Sequence, residues 1–179
     1  TMDSGVFTIY LRSIDVAGHP TLHWRNGAAL PKGCSEAVRS VVDQTYVQID
    51  DWISRILESA PSTATVVIVS DHGMRPVDGG GHHAPFGLFV AKGQGIRRAM
   101  TFNGATILDV APTVMYISGA SVPLDMDGQV LASLFTEEWL DQNPPKYLDL
   151  DTSAVSDKSV ATEVSKEALE ELRALGYIK

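Results

Sequence analysis

Residues 65–70 read Thr65-Val-Val-Ile-Val-Ser70, a continuous apolar and mostly β-branched run. The run is too short for a separate helix and is typical of a strand that is buried on both faces of a sheet. A second run, Val6-Phe-Thr-Ile-Tyr-Leu11, has the same character, and Gly87-Leu-Phe-Val-Ala91 is a shorter third one. The sequence therefore predicts three buried strands.

An amphipathic helix is predicted between the first two strands, from Ser35 to about Ala60. Its apolar residues recur at steps of three and four: Val38, Val41, Val42, Ile49, Trp52, Ile53 and Ile56. Pro61 ends the pattern. Strand, helix and strand make a βαβ unit, whose two strands run parallel with a right-handed crossover. We therefore expect an α/β fold with a mostly parallel sheet flanked by helices.

The remaining segments are assigned from turn residues and apolar spacing. Glycine-, proline- and histidine-containing stretches predict loops at 15–33 and 71–84. Further helices are predicted at 106–118, at 129–140 and at 165–175, and a polar surface arm at 143–158. A chain of 179 residues forms one sizeable core, so we expect a single domain over 1–179.

Composition excludes several classes of function. The formal net charge of −8 disfavours general binding to nucleic acid or anionic membranes. Cys34 is the single cysteine, so neither an internal disulfide nor a thiolate metal cluster can form within the chain. The sequence contains no apolar run near the ~20 residues that a membrane span needs. These features leave a phosphate substrate open, because a bound metal ion can reverse the local field.

Histidine and aspartate residues cluster near the predicted strand ends. Asp15 and His19 follow the first strand, Asp71 and His72 follow the second, and Gly81-His82-His83 precedes the third. Ligand sites of open α/β sheets lie at the carboxyl ends of the strands, so these clusters are expected to meet. Carboxylate and imidazole groups without thiolate suit zinc, manganese or iron.

Each cluster alone also has a simpler interpretation. An aspartate after a strand can cap a helix or form a turn, and a histidine pair in a glycine-rich loop can be solvent-exposed. Together the clusters favour a metal site, because they contain four of the five histidines. The fifth, His23, stands beside Trp24 and is interpreted as a packing residue.

Several motifs, taken in order, resemble the alkaline phosphatase superfamily, and most closely its type I phosphodiesterase and nucleotide pyrophosphatase branch. The resemblance covers nearly the whole chain from Val6 to Lys179. It is carried by Asp15-Val-Ala-Gly-His19, Ser70-Asp-His-Gly-Met74, Gly81-His-His-x-x-x-Gly87, Ile107-Leu-Asp-Val-Ala-Pro-Thr113, Pro123-Leu-Asp-Met-Asp-Gly128 and Leu172-Arg-Ala-Leu-Gly-Tyr177.

The resemblance implies an alkaline-phosphatase-like sandwich that holds two divalent metal ions, usually zinc, with manganese as the alternative. Asp15, His19 and a histidine of the glycine-rich segment would hold one ion. His83 is the preferred histidine, because family members place the ligand four positions before the glycine that opens the next strand; His82 is the fallback. Asp71 and His72 would hold the other ion, together with groups that this sequence does not contain.

The family's Thr or Ser nucleophile and its early Asp-Gly motif have no counterpart before Val6. We therefore interpret the chain as the carboxy-terminal portion of a two-metal phosphoesterase, inactive alone and without a catalytic residue of its own. The expected substrates are phosphodiesters or nucleotide pyrophosphates. A surface left uncovered by the missing portion predicts self-association.

Three alternatives remain at this level. A cofactor-independent phosphoglycerate mutase or a sulfatase shares the superfamily core. The chain can also be a non-catalytic module that a metal ion stabilises. In the third alternative, the clusters are solvated loops that bind no metal.

Overall fold

The computed structural model describes residues 5–150 and four single residues beyond them, Lys166, Leu169, Glu170 and Arg173. The last predicted helix, 165–175, and the surface arm after residue 150 therefore lie outside the continuous described range. Contacts divide residues 5–150 into two compact units. Residues 5–8, 62–68 and 89–150 form one unit, and residues 9–61 and 69–88 form the other.

Helices and short strands alternate along both units. The α-helices are α1 (Ser13–Arg25), α2 (Val41–Ser59), α3 (Val110–Ile117) and α4 (Glu137–Gln142). The strands are β1 (Val66–Val69), β2 (Gly73–Val77), β3 (Gly80–Ala84), β4 (Phe89–Lys92), β5 (Val122–Pro123) and β6 (Tyr147–Leu148). Among the described residues, no helix has both the length and the apolar character needed to cross a membrane.

The predicted helix from Ser35 to Ala60 is confirmed. Ser35 starts it, with its side-chain oxygen accepting a hydrogen bond from the Ala37 N–H at 3.2 Å. A 3-10 helix over Glu36–Ser40 continues directly into α2. The helix ends before Pro61, because the residue that precedes a proline avoids the helical conformation.

The predicted loop over 15–33 is wrong in its first half, where the chain forms α1. Gly18 and Pro20 lie inside this helix, and both residue types lower intrinsic helix propensity. Tertiary packing outweighs that preference, since α1 packs against the 3-10 helix, α2, β2 and β3. The Arg39 guanidinium donates to the carbonyl oxygens of Trp24 at 2.8 Å and Ala28 at 2.9 Å, which holds the end of α1 in place.

The predicted loop over 71–84 is also wrong, because this segment folds into an antiparallel hairpin of β2 and β3. Asp78 and Gly79 form its two-residue connection, and Gly79 has a φ of +84°. Glycine adopts this positive φ at no steric cost, because it has no Cβ atom. The register places Met74 opposite His83, and Arg75 opposite His82.

The strand predicted at Val6–Leu11 is wrong. These residues have no regular secondary structure, and the Phe7 and Tyr10 side chains are each 79% exposed. Strand propensity expresses packing on a pleated surface, and no described strand pairs with this segment. The mostly parallel sheet is likewise not found among residues 5–150, which contain three two-stranded sheets: β1 with β4, β2 with β3, and β5 with β6. The observed organisation is a mixture of helices and small sheets, consistent with an α/β fold.

The unit that contains α3 and α4 has its own apolar core. Tyr116 packs edge-on against Phe135 with ring centroids 4.9 Å apart, and its hydroxyl donates to the Asn143 carbonyl at 2.6 Å. The predicted helix at 106–118 is confirmed as a 3-10 turn followed by α3. The helix predicted at 129–140 is interrupted: only Ala132–Leu134, as a 3-10 turn, and α4 are helical.

Asp109 and Thr113 have structural roles in this unit. The buried Asp109 carboxylate accepts hydrogen bonds from the backbone N–H and hydroxyl of Thr106 and from the Gln129 N–H, at 2.8–2.9 Å. Burial alone would raise the pKa of Asp109, but these hydrogen bonds outweigh it and hold the pKa below its ordinary value. Thr113 is fully buried and accepts from the Leu131 N–H at 3.0 Å. Asp109 and Thr113 therefore anchor the segment that begins at Gln129 through hydrogen bonds to its backbone.

Replacing Thr113 with valine tests this fastening. The change keeps the side-chain shape but leaves the Leu131 N–H unpaired in the core, so we expect the free energy of unfolding to fall by about 1–3 kcal/mol. Urea unfolding followed by circular dichroism measures the change. Ser133→Ala, at an exposed position of the same unit, is the control and should stay within about 0.5 kcal/mol. Equal stability of the two variants would contradict the structural role.

Candidate metal centre

Helix α1 supplies two of the predicted ligands from one face. Asp15 and His19 are four residues apart, which places their side chains one above the other on a helix. The Asp15 Oδ1 atom lies 3.3 Å from His19 Nε2, and both side chains are largely buried. The two residues were expected after a strand, but a helical turn brings them together instead.

The β2–β3 hairpin supplies a third predicted ligand, His83. Its Nε2 atom lies 3.5 Å from Asp15 Oδ1 and 3.0 Å from His19 Nε2. These three residues form a group whose ligand atoms all lie within 4.8 Å of one another, close enough to hold one metal ion. His82, the fallback ligand, occupies the next position of β3 and is exposed, because successive side chains of a strand point to opposite faces.

Glycines let α1 approach the hairpin closely enough to form this group. A Cβ atom at Gly80 would collide with the His19 carbonyl oxygen, and one at Gly81 would lie 2.7 Å from the Gly18 carbonyl oxygen. A Cβ atom at Gly18 would collide with the Met74 sulfur. The glycine run, read in the sequence as a loop signal, is therefore required for helix–hairpin contact. The Asp78-Gly79 pair was the signal that could have predicted the hairpin.

Hydrogen bonds set the tautomers of two histidines. His19 Nδ1 lies 3.0 Å from the Gly81 carbonyl oxygen, and His72 Nδ1 lies 2.9 Å from the Gly73 carbonyl oxygen. A carbonyl can only accept, so Nδ1 carries the proton in both rings. In a neutral ring Nε2 then has the lone pair, which is the form that binds metal ions.

The Asp15 carboxylate is buried, and neither of its oxygens has a hydrogen-bond partner among the described residues. A buried ionised carboxylate without hydrogen bonds is costly, so such groups are paired or coordinate metals. The imidazole nitrogens beside Asp15 can offset its charge only when protonated. A divalent cation would satisfy the carboxylate and accept the imidazole lone pairs together, so the residues present fit a metal ion. Ser13, which sequence reasoning missed, also has a buried hydroxyl with no such partner.

The pKa of His83 is lowered from its ordinary value. Burial has the largest effect, and the nearby His72 and His19 rings lower the pKa further, while Asp15 offsets this only in part. His83 is therefore neutral at pH 7, as a metal ligand must be.

The remaining predicted ligands lie beside this group. His72 Nε2 is 4.0 Å from Asp15 Oδ1, and the His72 ring stacks on His83 with centroids 3.7 Å apart. Asp71 Oδ2 lies 3.8 Å from His72 Nε2, but the Asp71 side chain is 65% exposed. His23 packs edge-on against Trp24 in α1 and is not among the predicted ligands.

The lowered pKa of His83 predicts a pH dependence of the metal-free chain. The unfolded state binds a proton at His83 near pH 6.5, before the folded state does, so stability is lost as the pH falls through 6.5. We expect the thermal unfolding midpoint, measured in EDTA, to decrease as the pH is lowered from 7.5 to 5.5. The decrease per pH unit should be smaller in His83→Asn.

The exposed neighbour provides the matched control for this comparison. His82→Asn should keep the wild-type slope, since it removes a histidine from the other face of β3. Identical slopes in all three proteins would contradict the proposed environment of His83.

Comparison with known proteins agrees with the motifs that meet at this site. The profile of the type I phosphodiesterase / nucleotide pyrophosphatase family matches residues 3–158, which include all five predicted ligands. Comparisons with curated proteins and with solved structures give no match. The match extends over most of the sequence, and the chain therefore belongs to the type I phosphodiesterase / nucleotide pyrophosphatase family.

Proposed function

We propose that the chain contributes the metal centre of a hydrolase that cleaves phosphodiesters or nucleotide pyrophosphates. One observation carries the proposal: the buried Asp15 carboxylate, without a hydrogen-bond partner among the described residues, lies within 3.5 Å of the Nε2 atoms of His19 and His83. The family match supports the reaction class, since the family comprises phosphodiesterases and nucleotide pyrophosphatases.

Asp15, His19 and His83 would hold the first ion, with zinc as the preferred metal and manganese as the alternative. One carboxylate and two imidazoles suit either metal. A bound divalent ion polarises a phosphoryl oxygen and lowers the pKa of a coordinated hydroxyl or water. The protein residues act by charge and position: Asp15 provides the negative charge, and the Gly81 carbonyl orients the ring of His19.

Asp71 and His72 are proposed as the protein's contribution to a second ion during the reaction. Their support is the family resemblance and the short distance of 4.0 Å between His72 Nε2 and Asp15 Oδ1. Two-metal sites place their ions about 3.5–4 Å apart, so a second ion would share this small region with the first. The groups that would complete its coordination are not found among the described residues.

The proposed partner is a small phosphate-ester substrate. A formal net charge of −8 would repel a polyanion over most of the surface, whereas bound cations give a local positive field at the site. The alkaline-phosphatase-like sandwich is our proposal for the complete fold. It is supported by the family match and by the mixture of helices and sheets.

Zinc binding and phosphate binding together test this function. We expect isothermal titration to detect zinc binding to the EDTA-treated chain, weakened at least ~10-fold in Asp15→Asn because the ligand charge is lost. AMP, as a phosphate-ester probe, should then bind the zinc-loaded chain and not the metal-free chain. Absence of zinc binding, or AMP binding that is independent of zinc, would contradict the proposal.

A turnover assay separates catalysis from binding. The sequence predicts that the chain alone does not hydrolyse bis(p-nitrophenyl) phosphate, because no nucleophile is identified in it. Zinc that raises the melting temperature without promoting AMP binding would favour the alternative of a non-catalytic, metal-stabilised module.

A further inference from the structure

We propose that Asn103 is a site of spontaneous deamidation. In this modification the Gly104 amide nitrogen attacks the asparagine side chain, and water opens the resulting succinimide to aspartate or isoaspartate. Glycine after asparagine favours the attack, because no Cβ atom hinders the nitrogen. The reaction requires neither a metal ion nor a second protein, so the inference is independent of the proposed function.

The sequence leaves two candidate asparagines. The chain contains three, and each one is followed by glycine or proline. Asn143 precedes Pro144, whose nitrogen carries no hydrogen and cannot attack. Asn26 and Asn103 each precede a glycine. Only the structure can therefore distinguish between the two Asn-Gly pairs.

The two pairs are alike in exposure and in glycine conformation. Asn26 and Asn103 are both exposed. The φ angle is +89° at Gly27 and +87° at Gly104, and a Cβ atom at either glycine would have no neighbour within 4 Å. Neither solvent access nor crowding therefore separates the reactivities of the two pairs.

Hydrogen bonding separates them, because the pair at Asn26 belongs to a closed turn. The Gly27 N–H donates to the Trp24 carbonyl at 3.1 Å, where α1 ends. The Arg39 guanidinium holds the same turn through the carbonyls of Trp24 and Ala28, at 2.8 and 2.9 Å. The nitrogen that would attack Asn26 is thus already bonded, and the backbone around it is fixed.

The segment that contains the other pair is anchored only at its ends. Phe102 packs edge-on against Phe89 with ring centroids 5.6 Å apart. Thr106 donates its backbone N–H and its hydroxyl to the Asp109 carboxylate at 2.8 and 2.9 Å. Residues 103–105 between these contacts are exposed and have no regular secondary structure.

The attacking nitrogen of this second pair is available. Within residues 5–150, no carbonyl accepts a hydrogen bond from the Gly104 N–H. The backbone at 103–105 can therefore turn until the Gly104 nitrogen reaches Cγ of Asn103. The structure directs the reaction to Asn103 and protects Asn26 from it.

The reaction balances with water as the only co-reactant. Hydroxide removes the Gly104 amide proton, the nitrogen forms a bond to Asn103 Cγ, and the Cγ–Nδ2 bond breaks. Ammonia leaves with a proton taken from water, which restores the hydroxide. Water then cleaves one of the two bonds that join the ring nitrogen to a carbonyl carbon. Cleavage at Cγ gives aspartate, and cleavage at the backbone carbonyl carbon gives isoaspartate.

Peptide mapping of the folded chain during incubation at mildly alkaline pH tests the proposal. Trypsin cuts after Arg25 and Arg98, so Asn26 and Asn103 fall in different peptides, and tandem mass spectrometry locates each conversion of amide to acid. We expect Asn103 to convert at least ~5-fold faster than Asn26, the factor that one net hydrogen bond corresponds to. Asn143 should stay intact.

The unfolded chain and two variants provide the controls. In guanidinium chloride the two Asn-Gly pairs should convert at similar rates. Arg39→Ala removes two hydrogen bonds of the turn after α1 and should accelerate Asn26 without changing Asn103. Asn103→Gln should abolish conversion at its position, because glutamine would have to close a larger ring that forms more slowly. Circular dichroism verifies that each variant folds.

The products distinguish the succinimide route from direct hydrolysis, which gives aspartate alone. An isoaspartyl carboxyl methyltransferase should label the incubated wild-type chain more than the incubated Asn103→Gln chain. Equal labelling would overturn the proposal. Conversion of Asn26 as fast as Asn103 in the folded chain would also overturn it, as would an intact Asn103 in the folded chain while the unfolded chain converts it.

Discussion

The close packing of helix α1 on strand β3 is the contact on which the candidate site depends. Backbone atoms of the helix touch the strand where Gly80 and Gly81 have no side chain, and a Cβ atom at either position would meet a helix carbonyl. This approach sets the distance between His19 on the helix and His83 on the strand, whose Nε2 atoms are 3.0 Å apart. Protein interiors are densely packed and do not deform freely. A side chain inserted between α1 and β3 would therefore move the two Nε2 atoms apart.

The same packing buries a charge that the protein alone does not neutralise well. Both oxygens of Asp15 are shielded from solvent and lack hydrogen-bond partners among residues 5–150. His83 is held neutral by burial and by its histidine neighbours, so it offers a lone pair rather than a positive charge. The metal-free arrangement is therefore costly, and a divalent ion would recover that free energy. Family membership, the buried carboxylate and the neutral His83 ring agree with one another on this point.

Sequence patterns predicted individual helices and strands better than they predicted how these elements pack against one another. The helix at Ser35–Ala60 and the strand at 65–70 follow from apolar spacing, and the structure contains both, the strand as Val66–Val69. The strand expected at Val6–Leu11 requires a neighbouring strand, which apolar character alone cannot supply. Helix α1 contains Gly18 and Pro20 and forms because it packs, so propensity misjudged it. His72 lies near Asp15 and His83 because residues 73–84 form a hairpin. The glycine run in this segment led to the prediction of a loop instead.

The most direct test is the location of zinc by anomalous diffraction from crystals of the chain grown with one equivalent of the metal. Our account predicts one strong anomalous peak between α1 and β3, about 2.0–2.2 Å from Asp15 Oδ1 and the Nε2 atoms of His19 and His83. A peak bound elsewhere, or none at this position in crystals that contain zinc, would contradict it.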